Sequence, residues 1–296
     1  MFTGLSAFPL TPVTKQGIDE RAYRNVVERL VKGGVNSIGA LGSTGSYMYL
    51  NREERSQVAR LTVQSAGTVP VVIGIGALST RDVLFLTEDA QKAGAAGVLL
   101  APVSYQKLTE DEVYSLYETV TNNLSVPLVV YDNPGTTNFI FSDDLHGRIA
   151  ELPNVASIKI PGVPAAPAEA KARVDRLRAV IPNHVTIGVS GDAMAATGLN
   201  AGCEVWYSVI GGLFPEITLA ILNAARLGNA DTANQLSSYL QPLWDLFKQH
   251  GSLRVVAAAA EIIGLVQSPS LPLPVIAVQG AARSAVSSVI QELNLA

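Results

Sequence analysis

The chain has 296 residues, 48% of them hydrophobic and 16% charged, with a formal net charge of −4. That is ample apolar material for a large core, and the 21 Lys and Arg residues are scattered, which excludes a basic footprint for nucleic acid or a polybasic membrane tail. One cysteine, Cys203, excludes an internal disulfide, and the three histidines (His146, His184, His250) stand far apart with no metal-ligand spacing.

From the N-terminus, MFTGLSAFPLTP has neither a basic n-region nor a long apolar segment. No later run reaches the roughly 18 residues that a spanning helix needs, so a soluble cytoplasmic protein is expected. Short apolar, β-branched runs then recur at Phe2–Pro9, Val35–Leu41, Pro70–Ile75, Gly97–Ala101, Pro127–Asp132, Val155–Ile160, Val185–Val189 and Val205–Val209. Their near-continuous hydrophobicity suits parallel strands covered on both faces.

Amphipathic stretches lie between the runs. Asp19–Lys32 places Val26, Val27, Leu30 and Val31 on one face, and Asn51–Ala66 opens on a capping Asn51 with Glu53 and Glu54 behind it. Ser79–Ala93, Thr109–Asn123, Ser142–Ala150 and Pro167–Val180 follow, and Thr109 with Glu112 has capping-box spacing. Glycines mark the stops at Gly33–Gly34, Gly67, Gly94 and Gly202. Eight strand–helix repeats predict an α/β fold over residues 1–227, a closed (β/α)8 TIM barrel, with a doubly wound open sheet as the runner-up. Beyond Leu227 the strand signal stops. Residues 228–296 read as a three-helix extension packed on the barrel: Ala230–Gln249, Leu253–Val266 and Gln279–Leu293.

In such barrels the chemistry sits at the C-terminal ends of the strands. Of seven lysines, Lys159 is the one inside an apolar strand, VASIKI. Two readings stand level: an amine buried in the barrel, neutral and nucleophilic, or a side chain snorkelling outward between helices. Tyr131 ends the preceding strand, where a phenol could shuttle protons beside that amine or simply cap the core. The loop Gly42-Ser43-Thr44-Gly45-Ser46 offers amides and hydroxyls to an anion, or is an ordinary turn. Ser190-Gly191-Asp192 and Tyr207 are read in the same two ways, as pocket lining or as cap and core.

Together these stretches resemble the dihydrodipicolinate synthase/N-acetylneuraminate lyase family. FTGLSAFPLTP is similar to its first strand, GSTGS to its GTTGE loop, VVYDNPGTT to its YNxP segment, SIKI to the strand of its Schiff-base lysine, and VSGD to its SGDD turn. The resemblance implies an imine through Lys159 with no metal or organic cofactor, and proton relay by Tyr131 and Ser43. It also implies a 2-oxo acid substrate whose carboxylate is held by Thr44 and the loop amides, Gly45 among them, while Gly191, Asp192 and Tyr207 are the further substrate-binding candidates at the strand ends. A homotetramer, as a dimer of dimers, is expected, with Tyr105 of APVSYQ as the candidate tyrosine donated across an interface.

Three departures bear on the second substrate. Thr136 stands where the synthases carry an arginine for the carboxylate of aspartate semialdehyde, and a hydroxyl lacks the two-pronged charged bond of a guanidinium. Ser46 and Ile160 replace acidic residues. The leading expectation is therefore a pyruvate-dependent aldolase or dehydratase, followed by a true synthase, followed by a non-catalytic 2-oxo-acid sensor.

Overall fold

The computed structural model describes residues 2–295. The chain opens with β1 (Gly4–Ala7), then a two-residue-per-strand antiparallel hairpin of β2 (Val13–Thr14) and β3 (Gly17–Ile18). Seven further strands follow: β4 (Ser37–Ala40), β5 (Val71–Gly74), β6 (Gly97–Leu100), β7 (Leu128–Tyr131), β8 (Val155–Ile160), β9 (Thr186–Val189) and β10 (Val205–Ser208). All but the hairpin are parallel and close into a barrel in the order β1-β10-β9-β8-β7-β6-β5-β4. The expected closed barrel is borne out, and the open sheet is not.

Helices connect the strands: α1 (Glu20–Lys32), α2 (Arg52–Ala66), α3 (Thr80–Lys92), α4 (Glu110–Thr121), the single turn α5 (Pro134–Thr137), α6 (Asp143–Ala150), α7 (Pro167–Val180), α8 (Ala195–Asn200) and α9 (Pro215–Arg226). Their starts are chemically specified. Asn51 and Glu54 form a reciprocal capping box on α2, and Thr109 and Glu112 form another on α4.

The tail contains α10 (Ala230–Tyr239), α11 (Gln241–His250), α12 (Ser252–Ile262) and α13 (Gly280–Glu292). The stretch expected as one helix over Ala230–Gln249 is two. Pro242, in the first turn of α11, has no N–H to continue the ladder, so the chain breaks at Leu240. α10 packs on α8 and α9, and Leu243, Trp244, Val255 and Val256 share one apolar cluster with the outer faces of the barrel strands. Among the described residues no helix is long and apolar enough to cross a membrane.

Inside the barrel lies a second, much smaller apolar cluster that includes Phe8, Val72, Leu99, Val129, Tyr131 and Tyr207. Aromatic rings from some strands fill space that glycines on others leave free. A Cβ on Gly39 would fall 2.3 Å from Phe8 Cζ, and one on Gly188 would fall 2.3 Å from Tyr207 Cε2. Gly188→Ala is therefore expected to destabilise the protein by ~1–3 kcal/mol through overpacking, read as a lower denaturant midpoint. An unchanged midpoint would show that the Tyr207 ring yields freely.

Candidate active site

Strand pairing decides the orientation of Lys159. Tyr131 on β7 lies beside it in register, and Gly188 on β9 lies on its other side. The side chain points into the barrel and is 4% exposed, so the outward, snorkelling reading fails. Its Nζ sits 4.0 Å from the ring centre of Phe8, 3.9 Å from that of Tyr131 and 5.7 Å from that of Tyr207. Gly188 contributes no side chain at this level, and the Tyr207 ring occupies the space it leaves. Burial lowers the pKa of Lys159, and the neighbouring Tyr131 and Asp192 only partly oppose this.

Tyr131, 7% exposed, turns its hydroxyl to the loop after β4. Its Oη lies 3.4 Å from Ser43 Oγ and accepts a 2.9 Å hydrogen bond from Asn133 Nδ2. The loop itself is folded tightly: a Cβ on Gly45 would lie 3.0 Å from the backbone nitrogen of Leu41. Thr44 and Ser46 are buried within it, and Ser46 adopts a left-handed φ of 55°. Lys159, Tyr131 and Ser43 are thus brought together as the sequence suggested.

The remaining candidates divide. The hydroxyl of Tyr207 donates to Ser157 Oγ at 2.7 Å, which pins the ring beneath the amine. Gly191 has a φ of 78° and lets the chain turn against Gly162. Asp192 was expected to bind substrate, but its oxygens are already engaged. Oδ1 accepts from Trp206 Nε1 and Ser208 Oγ, each at 2.9 Å, and Oδ2 accepts from the Ile210 amide at 2.8 Å. Here it anchors the end of β10, and burial holds its pKa above the ordinary carboxylate value. Thr136 is exposed, with its hydroxyl 3.4 Å from the Asn133 carbonyl. Tyr105 is 91% exposed and takes no part in the single-chain site.

Two contributors were not singled out from the sequence. Phe8 looked like any apolar residue of the first strand, and Asn133 looked like a turn former between two other turn formers. Neither carries a signal until β1 and β7 are placed across the barrel from one another.

Comparison with known proteins points to a single family. A family model described as the dihydrodipicolinate synthetase family matches residues 1–293. The 4-hydroxy-tetrahydrodipicolinate synthase of Methylococcus capsulatus is 31% identical over 291 residues, covering 96% of each chain. A crystal structure of dihydrodipicolinate synthase from Agrobacterium tumefaciens superposes with a TM-score of 0.94 at 42% identity, covering 99% of this chain and 98% of that one. A second, from Acinetobacter baumannii in complex with pyruvate, gives a TM-score of 0.90 at 26% identity with each chain fully covered.

Burying an amine carries a stability cost with a definite pH dependence. In the unfolded chain Lys159 is protonated below its ordinary value of 10.5, while the folded protein keeps it neutral to lower pH. Unfolding therefore takes up a proton in that window, and stability rises with pH across it. Lys159→Met should raise the melting temperature at neutral pH, with the gain shrinking as pH approaches 10.5. A melting temperature equal to or below the parent's across this range would refute the neutral amine.

Proposed function

This chain belongs to the dihydrodipicolinate synthetase family, and on that premise we propose that Lys159 forms an imine with a small 2-oxo acid, pyruvate foremost. The protein is a lyase of the aldolase type. The neutral Nζ adds to the keto carbon. The carbinolamine oxygen takes up a proton relayed through Tyr131, and water leaves to give the iminium. Loss of a proton from the adjacent methyl yields an enamine, which adds to an acceptor carbonyl. In the reverse direction the iminium is the electron sink for carbon–carbon cleavage. The chemistry is supplied by the imine itself, without an organic cofactor.

The observation that carries this reading is the buried amine between two aromatic rings, in register with a phenol whose hydroxyl meets Ser43 and Asn133. Thr44, Gly45 and the loop amides are the proposed cradle for the 2-oxo acid carboxylate. We place the enzyme in the cytoplasm as a homotetramer, with the exposed Tyr105 offered to a neighbouring subunit.

For the second substrate, Thr136 favours an aldolase or dehydratase acting on a neutral aldehyde or a 2-keto-3-deoxy sugar acid. The synthase reading rests on the names of the relatives. It would need another cation to take the place of the missing guanidinium.

Treatment with pyruvate and borohydride is expected to leave a reduced adduct on Lys159, located by peptide mapping. An adduct on another lysine, or none, overturns the mechanism. In condensation kinetics, aspartate semialdehyde should be used at least roughly tenfold less efficiently in kcat/KM than the best neutral acceptor, since a charged hydrogen bond contributes on the order of 1.5–3 kcal/mol. Efficient turnover of the semialdehyde would reverse the ranking in favour of the synthase.

A further inference from the structure

Behind Tyr131, just past the end of β7 and on the outer side of the barrel, lies a buried polar pair that the imine chemistry does not use. Strand alternation turns Asp132 out of the barrel and against α6, where it meets His146. His146 Nε2 lies 3.5 Å from Asp132 Oδ2. His146 is 0% exposed and Asp132 is 5% exposed. Among the described residues, Asp132 Oδ1 and both imidazole nitrogens have no hydrogen-bond partner.

The surroundings are apolar. The imidazole stacks on Phe141 with ring centres 4.8 Å apart, and Phe141 meets Phe139 and Tyr117 edge-on. The charged groups that bear on the pair are Arg173 of α7 and Asp143 of α6, which bond to one another at 2.6 Å. Tyr117 of α4 commits its hydroxyl to the Leu100 carbonyl at 2.6 Å. On β8, the carbonyl of Lys159 accepts from the Asp132 amide at 3.0 Å.

We propose that Asp132 and His146 share one proton and act as a positioning pair, holding the turn that carries Tyr131 and Asn133 in its catalytic geometry. With no proton the pair is an uncompensated buried carboxylate, and with two it is an uncompensated buried imidazolium. With one proton it is neutral overall, the state that an apolar site tolerates. Burial raises Asp132 to about 7 and lowers His146 to about 4. Both directions put the proton on the carboxyl, with its O–H facing the imidazole.

The link to catalysis is short. Asp132 is covalently between Tyr131 and Asn133, and the Asn133 side-chain Nδ2 donates to the Tyr131 hydroxyl at 2.9 Å. A carboxylate that gains charge must draw toward a donor or water, and the turn moves with it. Raising the pH past the pair's upper step should therefore lower kcat more than it changes KM for pyruvate.

The activity readout rests on the imine reading, so the test begins with a measurement that does not. Nitrogen NMR of histidine-labelled protein without substrate should show His146 uncharged at pH 6. A resonance titrating near the ordinary 6.5 would overturn the pair. Asp132→Asn keeps a donor in place without a titrating proton. It should fold, retain kcat at pH 6 and lose the alkaline step of the parent profile. Asp132→Ala or His146→Ala should drop kcat by about 10- to 100-fold, as expected of a displaced catalytic group. Should either fail to fold, the spectrum and Asp132→Asn decide the matter. An unaltered alkaline step in Asp132→Asn, or full kcat in a folded Asp132→Ala, would refute the proposal. Borohydride trapping run alongside reports separately on Lys159. Failed trapping with a neutral His146 would sink the imine and leave the pair standing.

Discussion

A primary amine can be nucleophilic near neutral pH when it is kept dry, and a dry amine needs neighbours that neither charge it nor crowd it. The site is arranged around that constraint at Lys159. Phe8 and Tyr131 present ring faces at about van der Waals distance from Nζ. On the other flank, Gly188 adds no side chain and Tyr207 closes the space. Tyr207 stays there because Ser157 receives its hydroxyl, and the end of its strand is tied down by Asp192 through Trp206, Ser208 and Ile210. The Asp192 carboxylate that first suggested a ligand is thus part of the scaffold that surrounds the amine.

Much of the fold was legible because parallel strands covered on both faces leave long apolar runs, and because the caps of α2 and α4 are written in residues three apart. The β2–β3 hairpin was not, since two-residue strands carry no periodicity. The break at Leu240 was passed over, although Pro242 marks it, because the apolar pattern continues through it. At the site, Lys159 was conspicuous by composition, but its direction was open. The pairing of β7 with β8 shifts register between Leu128 and Val129, so alternation counted from the strand start cannot be carried across it. The part played by Asp192 stayed open because a turn of the form Ser-Gly-Asp gives no hint of which partners its carboxylate will meet from β10. Phe8 and Asn133 depend on long-range placement and leave no local trace.

The two halves of the reaction are drawn from different structural material. The residues proposed for imine formation lie on barrel strands or on a loop held tightly against them, and each is fixed by packing or a hydrogen bond. The position tied to the acceptor, Thr136, is an exposed residue of the single turn α5, and its side chain reaches no further than the carbonyl of Asn133. Common chemistry with a variable partner is what this division supports.

The separation of the apolar residues into two clusters extends the same point to heredity. The large cluster between strands and helices carries most of the buried hydrophobic surface, while the inner one is a handful of side chains around the amine. Lineages can therefore exchange residues at the mouth of the barrel while the scaffold outside remains intact. Inside the barrel the freedom is narrower. A ring on one strand and a glycine on its neighbour must change together, as Phe8 with Gly39 or Tyr207 with Gly188 would have to. Sequence drift in this protein should thus proceed singly at the rim and in compensated pairs at the core of the site.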